Sequence, residues 1–159
     1  MKSWHLPHVD ATRELGRCIA SQLRRGDIVA IDGDLGAGKT TLVRAMAECM
    51  GADPKEIGSP SFGLVHEYAL GQVGRIIHLD AYRLSGPEDL LPLGWSDWML
   101  EQDCVVVIEW ARRVDPLPSQ LPTVRISMWH VAQGRDVEVC WADDQRGAGM
   151  PPPASGESP

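Results

Sequence analysis

The sequence predicts a single α/β domain, a mixed β-sheet with helices flanking it, and three observations carry that expectation. The 159 residues are 43% apolar, one domain's worth of chain with enough core to need no disulfide staples. Helical and strand-like stretches alternate through the first half. Paired strand-like runs joined by short turns dominate the rest, as in hairpins built onto a sheet.

Between about residues 9 and 25, Ala11, Leu15, Cys18, Ile19 and Leu23 recur at helical spacing. Asp10 is a plausible cap for that helix and Gly26 a stop. Residues 28–32 (IVAID) form a short apolar run, the mark of a buried strand. GDLGAGKT (33–40) is a glycine-rich loop, and the stretch after it reads as a helix closed by Gly51. A loop then leads to a strand near residues 64–68, and a turn at 71–74 joins it to RIIHLDAYRL (75–84) as a hairpin. Residues 87–102 hold two short helical stretches around Gly94. VVVIEW (105–110) is the most β-prone run. TVRISMWH (123–130) and RDVEVCW (135–141) alternate apolar and polar residues and make a second hairpin. Residues 145–159 contain seven Gly or Pro and read as a disordered tail behind a folded domain of residues 1–144.

Charge narrows the function. Fifteen Lys and Arg against 22 Asp and Glu leave −7, which excludes a basic nucleic-acid platform as the main activity, because such binding rests on phosphate neutralisation. A small basic patch, or a protein partner that holds the nucleic acid, stays open. Cys18, Cys49, Cys104 and Cys140 form no C-x-x-C pair, which argues against a zinc site. No apolar segment follows Lys2 as a secretory leader would require, and no run of about 18 apolar residues occurs. The expectation is a cytoplasmic protein with reduced thiols and no membrane contact.

Gly33-x-x-x-x-Gly38-Lys39-Thr40 matches the phosphate-binding P-loop in full. Glycines let backbone N–H groups curl around phosphate oxygens, and the helix starting at Lys39 aims its positive dipole end at them. Lys39 is expected to reach the β- and γ-phosphates, and the Thr40 hydroxyl to bind Mg²⁺. Asp34, Leu35, Gly36, Ala37, Gly38, Lys39, Thr40 and Thr41 are therefore the expected ATP contacts. Of fifteen cationic residues only Lys2, Lys39 and Lys55 are lysine, and a lysine in this loop suits the need for a compact point charge.

A P-loop also needs a carboxylate at the end of a neighbouring strand. Glu109 after VVVI and Asp80 after IIHL both qualify, and these residues alone leave open which holds magnesium and which handles the nucleophile. His78 shares a strand face with Asp80 and either hydrogen-bonds in the site or packs in the sheet. Arg83 reads equally as a charge stabiliser or a surface ion pair. Ser59-Pro60-Ser61-Phe62 occupies the position of a switch, or is an ordinary Ser-Pro turn. Among six tryptophans, Trp4, Trp95, Trp98 and Trp110 lie near loops or strand ends, where a ring could stack on adenine or anchor a partner. Leu93, Trp95, Trp98 and Met99 read equally as a docking surface or as core.

With these blocks in place, GDLGAGKTTLVR, SPSFGLVHEY, HLDAYRL and VIEW in that order, the chain resembles the TsaE (YjeE) family from about residue 10 to residue 141. The resemblance implies a small mixed α/β P-loop fold with weak ATPase activity. It implies a part in attaching threonylcarbamoyl to adenosine 37 of ANN-decoding tRNAs, exercised by binding the TsaD–TsaB pair, with TsaD carrying out the transfer and tRNA engaged only indirectly. It makes Thr40 and Glu109 magnesium ligands and Asp80, with Lys39, part of the hydrolytic site. It puts Thr12 near the adenine and Trp110 directly after the magnesium glutamate. Two departures stand out: Ser61 and Gly63 replace family threonines, and Ala111 stands where proline is common. Gly63 loses a hydroxyl and about 0.5–1 kcal/mol of backbone preference.

Two other readings differ in class. A nucleotide-gated assembly module would need ATP binding without turnover. A small-molecule kinase would need an arginine-rich lid, and Arg112, Arg113 and the Asp-Pro-Leu-Pro that follows make a poor one.

Overall fold

The computed structural model describes residues 1–57, 64–70, 74–118 and 121–148. The segment 59–62, Gly63, most of the 71–74 turn and residues 149–159 of the expected tail lie outside the described residues.

Among the described residues, seven strands form one mixed sheet: β1 (Lys2–Leu6), β2 (Ile28–Gly33), β3 (Val65–Ala69), β4 (Arg75–Asp80), β5 (Cys104–Glu109), β6 (Val124–His130) and β7 (Arg135–Trp141). Their order is β1-β7-β6-β2-β5-β4-β3. The central four, β6, β2, β5 and β4, run parallel. Antiparallel pairing adds β3 at one edge and β7 then β1 at the other. The expected hairpins β3–β4 and β6–β7 are both present. β1 had no counterpart in the sequence reading.

Successive residues of a strand face opposite ways, so the buried central strands feed two cores. On one face α1 (Val9–Ala20) and α2 (Lys39–Cys49) bury Leu15, Ile19, Leu42 and Met46 against Val29, Ile31, Val105 and Val107. On the other, Ile28, Ala30, Ile77, Leu79, Val106 and Ile108 pack against Leu90, Trp95, Trp98 and Val114. These come from 3₁₀ turns at Pro87–Leu93 and Ala111–Val114 and from α3 (Trp95–Glu101). Trp95 and Trp98 are thus core residues, with Leu93 and Met99 packed against them. Trp95 Nε1 donates to Pro118 O at 2.9 Å, which settles the ring's one polar group.

Three boundaries differ from expectation. His8, not Asp10, caps α1: its ring accepts from Ala11 N at 3.2 Å. α1 ends at Ala20 because the chain tightens into Gln22 N→Ile19 O and Leu23 N→Ala20 O turns, after which Asp27 Oδ2 accepts from Arg24 N at 2.6 Å. The local aspartate offers the backbone a competing partner, so the helix stops short of Gly26. The tail does not begin at residue 145: α4 (Asp144–Ala148) is helical, held by Arg146 on Asp27 and by Gly147 against Trp141. Among the described residues no helix is long and apolar enough to cross a membrane.

Candidate functional site

Parallel strands present their carboxyl ends together, and in open α/β sheets that edge is where ligands bind. Here β2 runs into the 33–40 loop while Asp80 ends β4 and Glu109 ends β5. Register places Ile31 and Asp80 on either side of Glu109.

The loop turns on Gly36 (φ 77°) and Gly38 (φ 103°), both in the left-handed region. Asp34, Leu35 and Gly36 are exposed, Gly38, Thr40 and Thr41 half-buried, and Ala37 and Lys39 buried. No side chain caps α2, so its first-turn N–H groups face the loop without a side-chain acceptor of their own. Lys39 Nζ donates to Gly33 O at 2.7 Å and Asp34 O at 2.8 Å, and sits 3.8 Å from the centre of the Trp110 ring. Burial lowers the Lys39 ammonium from its ordinary pKa, opposed by the charges of Glu109, Asp80, Asp34 and Asp32.

Thr40 and Glu109 meet. Thr40 Oγ1 lies 3.0 and 3.1 Å from the two Glu109 carboxylate oxygens. Glu109 is 3% exposed, so its charge needs partners. His78 is one, with Nε2 2.8 Å from Oε1. Of the two readings of His78, the structure realises the hydrogen bond, made from within the sheet. Tyr68 Oη in turn lies 3.0 Å from His78 Nδ1. Burial first, and the Glu109 charge second, raise the Tyr68 phenol above its ordinary pKa.

Asp80 is half-buried, and its Oδ1 accepts from Tyr82 N at 3.0 Å. Arg83 is exposed. Trp110 adopts a left-handed conformation (φ 59°), and its ring lies 5.0 Å from that of Tyr82. Thr12 is fully buried in α1, and its hydroxyl has no hydrogen-bond partner among the described residues. Its neighbours Val9 and Arg13 instead line a groove of about 470 Å³ beside Thr40 and Thr41, with Arg17, Arg44, Ala45 and Glu48.

Sequence reasoning missed Asp32 and Tyr68. Asp32 is 9% exposed and accepts from Arg112 N at 2.9 Å, tying the end of β2 to the turn after β5. Its signal was available, a carboxylate ending the strand before the loop. Tyr68 had none, because its link to His78 depends on strand register. Among the described residues no group of three or more His, Cys, Asp or Glu side chains is placed to hold a metal.

Comparison with known proteins agrees with this architecture. Residues 6–137 match the family model for threonylcarbamoyl adenosine biosynthesis protein TsaE. A tRNA threonylcarbamoyladenosine biosynthesis protein TsaE from Streptomyces coelicolor is 41% identical over 116 residues, 72% of this chain and 77% of that one. The protein of the same name from Bacillus subtilis is 31% identical over 125 residues, 79% of this chain and 74% of that one. A crystal structure of Bacillus subtilis YdiB superposes with a TM-score of 0.69 at 26% identity, covering 92% of this chain and 88% of that one. The chain belongs to the TsaE family of tRNA threonylcarbamoyladenosine biosynthesis.

Proposed function

We propose that this chain binds ATP with magnesium at the 33–40 loop. Its hydrolysis, slow alone and raised by a TsaD–TsaB-type complex, supports threonylcarbamoyl transfer to adenosine 37 of tRNA in the cytoplasm. The observation that carries the reading is the meeting of Thr40 and Glu109 directly behind Lys39. A hydroxyl and a buried carboxylate are hard oxygen donors, the set that suits magnesium with substrate phosphates completing its shell. Bound there, the ion would neutralise charge on the β- and γ-phosphates.

The residues divide the remaining work. Backbone N–H groups of residues 34–41 cradle phosphate oxygens, and Lys39 adds a point charge that the Trp110 face stabilises. Asp80, beside Glu109 in register, orients the attacking water. The groove beside Thr41 receives ribose and base along α1, between Val9, Arg13 and Thr41. A net charge of −7 suits a protein that engages tRNA through partners. Turnover in this reading drives or resets the partner complex.

The test is the ATP hydrolysis rate of the purified chain with and without TsaD–TsaB, using Lys39→Ala as the blank. A partner-dependent rise that vanishes in Lys39→Ala is the expected result. Tight ATP binding with no rise would overturn turnover and leave nucleotide-gated assembly.

A further inference from the structure

The buried hydrogen-bond chain behind Glu109 has no role in the reading above. Tyr68, His78 and Glu109 come from adjacent strands β3, β4 and β5 and share one face of the sheet, since Tyr68 pairs with Ile76 and His78 with Val107. Tyr68 and His78 are each 1% exposed. A core that needed only filling would use apolar side chains there, because buried polar groups cost free energy unless every one is satisfied.

The chain has a direction. An ionised carboxylate only accepts, so the His78 Nε2–H donates to Glu109 Oε1. With Nε2 as the donor, Nδ1 is left as the acceptor for the Tyr68 O–H, 3.0 Å away. The raised phenol pKa agrees with Tyr68 keeping its proton.

We propose that Tyr68 and His78 are positioning residues for Glu109: Tyr68 fixes the His78 tautomer, and His78 fixes the carboxylate rotamer that faces Thr40. This rests on the reading of Glu109 as a magnesium ligand. Partners that orient a ligand are worth 10–100-fold in metal affinity.

The test titrates Mg²⁺ calorimetrically into the full chain saturated with a non-hydrolysable ATP analogue. His78→Leu should weaken Mg²⁺ binding about tenfold, and Tyr68→Phe about threefold, with metal-free analogue affinity unchanged. His78→Gln, whose amide nitrogen is as many bonds from Cβ as Nε2, should recover most of the loss. Imidazole ¹⁵N shifts of the unliganded protein should report the Nε2–H tautomer for His78, and a mixture of tautomers in Tyr68→Phe. If His78→Leu fails to fold, Tyr68→Phe still decides, since it removes a single oxygen. Wild-type Mg²⁺ affinity in Glu109→Gln would overturn the magnesium reading itself. Loss in Glu109→Gln with wild-type affinity in Tyr68→Phe and His78→Leu would overturn this inference alone. An Nδ1–H tautomer or an imidazolium in the wild type would overturn the assigned direction.

Discussion

Gly33 ends β2 at φ 150°, and a Cβ there would lie 2.2 Å from Met128 O, the backbone partner on β6. No side-chain adjustment relieves a clash with a paired carbonyl, so the site can begin only where the strand carries glycine. Gly33→Ala is expected to cost roughly 2–4 kcal/mol, read by urea denaturation; a midpoint equal to wild type would refute the steric account. Tyr68 gives a pH prediction. In the unfolded chain its phenol ionises near pH 10, whereas the folded protein raises that value through burial and the Glu109 charge. The folded state thus holds the extra proton in the window above about pH 10, and stability falls as pH rises through it. The contribution is complete below about pH 10 and gone beyond the folded value. Urea unfolding on both sides of that pH should therefore show a steeper loss for wild type than for Tyr68→Phe. Parallel profiles would mean that the phenol is not held back by the fold.

At the scale of elements, the site depends on how close α1 lies to α2. Gly16 makes the approach possible: a Cβ there would sit 2.8 Å from Ala45 Cβ and 2.9 Å from Leu42 O. Alanine is the better helix former by about 1 kcal/mol, yet the contact on the α2 backbone should outweigh it. Gly16→Ala is expected to destabilise by roughly 1–2 kcal/mol and to widen the groove that Arg13 and Thr41 line. Thermal unfolding checks the first, and weaker nucleotide binding the second. A net gain in stability would mean that the helices separate freely. The same contrast explains what the sequence revealed. β2, the loop and α2 are contiguous, so an apolar run, two glycines and a lysine announce them through local physics. Asp80 and Glu109 were readable as carboxylates at the exits of apolar runs. Their partners were not: His78 and Glu109 are 31 residues apart, and only the β4–β5 register decides which side chains meet. β1 escaped notice because KSWHL is short, lies at the edge and owes its strand state to β7.

Across the whole molecule the two ends of β2 have separate duties. Its carboxyl end enters the 33–40 loop. At its amino end Asp27, 8% exposed, accepts from Arg146 Nη1 at 3.0 Å and Nη2 at 2.6 Å, while Arg146 also donates to Gln22 O. This pairing spans 119 residues and holds α4 at the start of β2. Lys2 Nζ donates to Ala148 O at 3.0 Å, so the first strand and the last helix close together. Replacing Arg146 by Ala removes the charged partner of a largely buried carboxylate. Thr123 Oγ1 and Arg24 N still donate to Asp27, which moderates the loss to roughly 1–3 kcal/mol. Because the break lies at the opposite end of the strand from Gly33, ATP affinity should stay within about twofold of wild type, as distant independent sites add. Urea denaturation and ATP titration of Arg146→Ala measure the two separately. A loss of affinity in step with stability would show that β2 transmits strain along its length, and the C-terminal closure would then belong to the proposed nucleotide site.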